Sequence, residues 1–263
     1  MLEFRRRIDG GGFEHPPNLL ERAGMRQRLV LLSTDAIHHV YFVNRLLAQG
    51  FELDAVFYET HALEPPFPVE PVFDEAQREF EEAEFRRDLP ATVPADLPVF
   101  YYRSLNEPEA VAHIARYEPE IGIVFGCGKL APTVIRCFPI LLNIHKGLAE
   151  EYRGLDTDLW PIYHFELDSI GVTVHQVDEE LDTGPVAKSA RVPLHRGMRI
   201  EQLRHAWVVL ATEMVMDCLR QHTRGKLALR KQARVGRYYS FMPTELKRLV
   251  ARRFNAYCRS LQA

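Results

Sequence analysis

Apolar positions along the chain alternate between two rhythms. Short continuous runs at Leu29 to Leu32, Leu53 to Tyr58, Leu97 to Tyr102, Glu120 to Phe125 and Ile140 to Ile144 predict buried strands. Between them lie stretches with helical spacing. Ala36 to Gln49 carries Ile37, Val40, Tyr41, Val43 and Leu47 as its expected buried stripe. Ser33-Thr34-Asp35 precedes it as cap chemistry, and Gly50 ends it. Asp74 to Arg87 predicts an acidic helix anchored by Phe73, Phe80 and Phe85, whose Glu79, Glu81, Glu82 and Glu84 are expected on a solvated face. Asn106-Glu107-Pro108-Glu109 opens a third helix that runs to Tyr117. Farther on come a short helix between Pro132 and Pro139, another over Asp158 to Phe165, and strands at Gly171 to Val177 and Pro185 to Leu194. Ile200, Leu203, Trp207, Leu210, Met214 and Cys218 mark a long helix over Ile200 to Gln221. Strands alternating with helices indicate an α/β fold with a mostly parallel central sheet covered on both faces.

Composition narrows this picture. A chain of 263 residues, 46% hydrophobic and 26% charged, supports a sizeable core. A net charge of -3 gives no general attraction to nucleic acid or to an anionic membrane, so neither is expected as a partner. Cys127, Cys137, Cys218 and Cys258 are scattered without CxxC or zinc spacing, which fits reduced thiols and a cytoplasmic setting. No run of 18 or more apolar residues occurs. Three regions are expected: an N-terminal arm over 1–24, rich in Arg, Gly and Pro; a main domain over 25–222; and a basic C-terminal extension over 223–263. The extension carries Tyr238, Tyr239, Phe241 and Met242, aromatics and apolar groups that suggest a homodimer.

The candidate chemistry gathers between Gly126 and Gly184. Gly126-Cys127-Gly128-Lys129-Leu130-Ala131 fits a dinucleotide-binding Gly-x-Gly-x-x-Ala pattern. It follows the fourth strand rather than the first, however, and no acidic strand end stands at the expected distance. Asn143 and His145 are two apart where a strand runs out, so they project to one side. Asn143 can donate to an oxyanion, His145 titrates near neutrality, and Asp182 can orient the histidine and accept a proton. No nucleophilic Ser or Cys stands among them, so the set suits direct attack of an amine on an acyl donor. On residues alone two other readings stay open: a satisfied polar pair beside a good turn sequence, and a metal site of His145, His175 and the carboxylates from Asp178 to Asp182. His38-His39 are adjacent on a helix and do not face one site, so one is expected to pack and one to face solvent.

Phe125 to Pro132, Asn143-Ile144-His145, Tyr152-Arg153-Gly154, Gly171 to His175 and Asp178 to Gly184, taken in order, resemble the folate-dependent formyltransferases. That family includes glycinamide ribonucleotide transformylase, the catalytic domain of methionyl-tRNA formyltransferase and the nucleotide-sugar N-formyltransferases. The resemblance covers roughly Leu29 to Leu219 and implies a Rossmann-like catalytic domain, which the main domain over 25–222 would be. It also implies 10-formyltetrahydrofolate as formyl donor and Asn143, His145 and Asp182 as the catalytic set, with no metal assigned. It further implies a pterin pocket around Gly126, Cys127, Gly128 and Leu130 and around Glu179, Glu180 and Leu181. One loop departs from the family pattern: after the histidine stands Lys146-Gly147-Leu148-Ala149-Glu150-Glu151, where Pro or Ala and then Ser-Leu-Leu-Pro is usual. Lys146 either meets an acidic group of the substrate or is solvated. The expected acceptor is a small-molecule amine, an amino sugar in nucleotide-linked form. Formyltetrahydrofolate hydrolysis and a non-catalytic nucleotide-binding module are the alternatives.

Overall fold

The strand-length apolar runs form the centre of a seven-stranded sheet in a computed structural model that describes residues 27–61 and 63–262. The arm over 1–24 lies outside the described residues. In chain order the elements are β1 (Leu29–Ser33), α1 (Ile37–Ala48), β2 (Ala55–Glu59), α2 (Asp74–Phe85), β3 (Val99–Tyr102), α3 (Pro108–Arg116), β4 (Ile121–Phe125), α4 (Pro132–Ile135) and β5 (Ile140–His145). Then follow β6 (Tyr152–Gly154), α5 (Trp160–Tyr163), β7 (Gly171–Gln176), β8 (Val186–Arg191), α6 (Leu203–Thr223), β9 (Arg237–Tyr239) and α7 (Thr244–Ser260). The sheet runs β3-β2-β1-β4-β5-β7-β8, with β6 and β9 as a separate parallel pair. β1 to β5 pair in parallel, and β7 and β8 are added antiparallel. Strand order reverses between β1 and β4, so their carboxyl ends open a crevice where such sheets place ligands.

Side-chain alternation splits the core in two. Leu31, Ile123, Leu142 and Val174 point to the face covered by α1, α6 and α7, while Leu32, Val124 and Leu141 point to the face under α3 and α4. The segment beyond α6 belongs to this packing: Met242, Val250, Phe254 and Cys258 are buried in the first cluster. Its strand β9 lies beside β6, with Gly154 opposite Tyr239.

Several local expectations are corrected. No side chain caps α1; Thr34 Oγ1 instead contacts His39 Nδ1 at 2.7 Å. The helix buries His39, Phe42, Val43, Asn44 and Leu46, and Ile37, Val40, Tyr41 and Leu47 are only half-buried. The cause is its position, wedged between the sheet, α2 and α6 rather than resting on one surface. On α2, Glu81 is fully buried, not solvated, because Arg204 takes both its oxygens at 2.6 Å. Asn106 does not cap α3 with its side chain; it braces the following glycine loop.

Candidate active site

Four strand ends and two loops build the site. At the end of β5, Leu142 and Ile144 face one core and Asn143 and His145 the opposite side, as their spacing requires. Antiparallel pairing with β7 then sets His175 directly across from Asn143 and Thr173 across from His145. Asp182 arrives from the loop after β7 in a left-handed backbone conformation, φ 57°. The three residues expected at the centre therefore meet. Asp182 Oδ1 lies 3.4 Å from His145 Nδ1, 3.4 Å from His175 Nε2 and 3.5 Å from Asn143 Nδ2. Asn143 Nδ2 is also 3.2 Å from His175 Nε2.

Three residues hold Asp182 and its loop in place. The Gly154 amide donates to its Oδ2 at 2.9 Å. Arg153 Nη1 donates to the carbonyl of Leu181, and Gln232 Nε2 donates to the carbonyls of Asp182 and Gly184 at 2.8 and 2.9 Å. Gly154 serves here because its φ of 95° suits glycine and an added Cβ would stand 2.1 Å from the carbonyl oxygen of Tyr239. The motif Tyr152-Arg153-Gly154 was visible in sequence, and its role as a clamp explains it. Gln232 left no sequence signal, since a lone glutamine far along the chain has no pattern around it.

Electrostatics follow from burial and neighbours. Burial works against the Asp182 carboxylate, but His145, His175 and the Gly154 amide outweigh it and keep the group ionised well below the usual range. Burial lowers the pKa of His145, and Asp182 acts against it. Its Nε2 lies 2.8 Å from the carbonyl of Tyr152, which can only accept, so Nε2 carries a proton and Nδ1 faces Asp182. Burial, with Glu59 beside it, pushes the Cys127 thiol well up, so this sulfur is no nucleophile.

A cavity of about 470 Å³ opens on these groups and has two banks. On one lie Gly126, Cys127, Gly128 and Leu130, facing Glu180 and Leu181 across the apolar side chains of Val124 and Val177. Glu59 accepts from the Gly128 amide at 2.7 Å, and Asn106 ties Lys129 and Ala131 from below at 2.9 and 2.7 Å. Glu179 is exposed and does not border the cavity. On the other bank stand His38, Lys146, Arg204 and Trp207, and His39 lies between the two banks, against Gly126. Of the histidine pair His39 packs, as one of the two was expected to, and His38 is half-buried at the cavity. Lys146 is half-buried and paired with Asp156 at 3.5 Å and Asp158 at 3.3 Å. Asp178 is engaged by the Thr183 hydroxyl at 2.8 Å, and among the described residues no group of three or more His, Cys, Asp and Glu is placed to hold a metal ion.

The formyl transferase family model matches residues 64–218, more than half of the chain, including the glycine loop, Asn143, His145 and Asp182. The chain belongs to the formyl transferase family. A methionyl-tRNA formyltransferase of Chloroflexus aggregans is 30% identical over 144 residues, covering 54% of this chain and 46% of its own. The chain spans about half the length of the curated relatives it matches. Among solved structures, a sugar N-formyltransferase from Shewanella sp. aligns with a TM-score of 0.59 at 16% identity, covering 85% of this chain and 87% of that one. HypX from Aquifex aeolicus, in complex with tetrahydrofolic acid, aligns at 0.55 with 18% identity, covering 90% of this chain and 35% of that one. Both likenesses concern the fold: the mostly parallel sheet and its helices are those of this family.

Proposed function

We propose that the protein transfers a formyl group from 10-formyltetrahydrofolate to the primary amine of a small molecule, an amino sugar in nucleotide-linked form. The observation that carries this is the convergence of Asn143, His145 and Asp182 at one cavity. Family membership and the sugar N-formyltransferase among the structural neighbours support the donor and acceptor classes. In this reading residues 25–222 form the catalytic domain, and 223–263 an extension that completes the wall through Gln232 and β9.

The first bank fits a reduced folate. A pterin presents donors and acceptors along one edge and a flat face, which calls for peptide groups beside apolar side chains. Leu130, Val124 and Val177 supply the apolar walls, and the glycine loop brings peptide groups to the cavity at Gly126 and Gly128 without side chains of their own. The folate supplies the formyl carbon as electrophile. Asn143 Nδ2, whose contacts at 3.2 and 3.5 Å are long, is free to turn toward the oxygen that gains negative charge. The attacking amine loses a proton, and Nδ1 of His145 can take it. Asp182 would stabilise the imidazolium that results, and the same proton would pass to the folate nitrogen as its bond to the formyl carbon breaks, while the Tyr152 carbonyl fixes the ring.

The test is incubation with 10-formyltetrahydrofolate and a panel of amino sugars and nucleotide-linked amino sugars, read by mass. A product heavier by one formyl group is expected with a nucleotide-linked member. Release of formate at the same rate with or without any amine would assign hydrolysis instead.

A further inference from the structure

The second bank of the cavity holds polar atoms that nothing in the fold uses. Trp207 is only 3% exposed, and its Nε1 is buried without a hydrogen-bond partner. His38 Nδ1 is buried and unpartnered in the same way. Arg204 commits Nε and Nη2 to Glu81, which leaves the Nη1 hydrogens for another group. All three residues border the cavity. An unpartnered buried donor costs about 1–3 kcal/mol, and folded proteins rarely carry such groups unless a water, an ion or a ligand meets them.

The chemistry of the set is one-sided. An indole N–H and a guanidinium can only donate. Lys146 remains charged beside them, since Asp158 and Asp156 outweigh its burial. Burial depresses His38 and His39, and Arg204 adds to it as a like charge, so the bank is biased against further cations. A group that only accepts, and that carries negative charge, answers every one of these features.

We propose that the bank formed by α1 and α6 seats an oxyanion, a carboxylate or phosphate, borne by the acceptor amine and held by Trp207 Nε1, Arg204 Nη1 and His38. The word acceptor rests on the formyl-transfer reading; the anion seat itself does not.

The chain has two tryptophans, Trp160 and Trp207, so the indole N–H signals of nitrogen-labelled protein report the seat directly. Inorganic phosphate and acetate are titrated at fixed ionic strength, with acetamide as neutral control. The signal lost in Trp207→Phe should shift saturably with at least one anion and stay in place with acetamide. His38→Phe should weaken that anion by about fivefold or more, on the order of 1 kcal/mol. In transfer assays an amino sugar is compared with its phosphate ester and its carboxylate derivative, which separates the two anion classes. Trp207→Phe should cut the kcat/KM preference for the anionic over the neutral amine by about tenfold. A Trp207 signal unmoved by both anions, or a preference unchanged in Trp207→Phe, overturns the proposal. A saturable Trp207 shift without formyl transfer to any amine keeps the seat and removes the formyl-transfer reading.

Discussion

The two banks of the cavity are made in opposite ways. The bank from Gly126 to Leu130 and Glu180 to Leu181 is drawn from two continuous loops, carries glycine at 126 and 128, and is braced by Glu59 and Asn106. The facing bank is made of side chains from α1, the start of the loop after β5, and α6. Its charges are matched by partners set farther back: Glu81 on α2 for Arg204, Asp156 and Asp158 for Lys146. A wall of main chain can recognise a constant ligand through fixed peptide geometry. A wall of side chains can change its preference by substitution, which suits the substrate that differs between family members.

Breaking the charge pairing of the second bank should cost most. Arg204→Leu leaves Glu81 ionised and buried, a loss of about 3–5 kcal/mol. The double variant Glu81→Met with Arg204→Leu should recover much of that, as read by urea denaturation. A double variant no more stable than the single would show that Arg204 packs rather than pairs.

On the first bank the weak point is backbone. Gly126 has φ 79°, and an added Cβ would lie 2.5 Å from His39 Cε1. Gly126→Ala should cost about 1–2 kcal/mol from the left-handed conformation alone, with more from the contact. Folate affinity should fall with it, by titration, while Trp207→Phe should leave folate binding in place. Equal folate losses in both variants would erase the distinction between the banks.

How far each bank was legible follows from how it is made. Glycine positions, the Asn-x-His pair at a strand end and the Asp-Thr-Gly turn are local features, and they located the loops, Asn143, His145 and Asp182. The sheet was legible for the same reason, through runs such as Ile121 to Phe125. Glu81 was misread because its partner comes from an element remote in sequence. A glutamate run reads as solvated until Arg204 arrives 123 residues later, and that His38 borders a cavity is likewise hidden until α6 is in place. Asn106 was misread because its cap chemistry is the same chemistry that holds a loop.

His39 makes a pH signature. Burial brings its pKa down to about 3, whereas the unfolded chain titrates near 6.5. Its contribution to stability is whole above pH 6.5 and is lost as pH falls toward 3, because only the unfolded state then binds the proton. Within that window His39→Gln should flatten the slope of stability with pH by one proton, about 1.4 kcal/mol per unit. An unchanged slope in denaturation series from pH 4 to 7 would mean that His39 titrates normally. The smallest effect belongs to Gln232→Ala, which removes two hydrogen bonds to the Asp182 loop at about 1 kcal/mol each. It should lower kcat more than it weakens folate; the reverse would place Gln232 with the donor bank.

The central claim is that one group of side chains performs the transfer while main chain holds the donor. It is tested most directly by measuring folate affinity and formyl transfer together in Asn143→Ala, His145→Ala and their double variant. Transfer should fall by about 10²–10³ with Asn143→Ala, about as far with His145→Ala, and by much less than the product in the double variant. Reduced folate should still bind all three with affinity within about tenfold of the parent protein. Near-normal transfer in the double variant would contradict the account and place the chemistry elsewhere in the cavity.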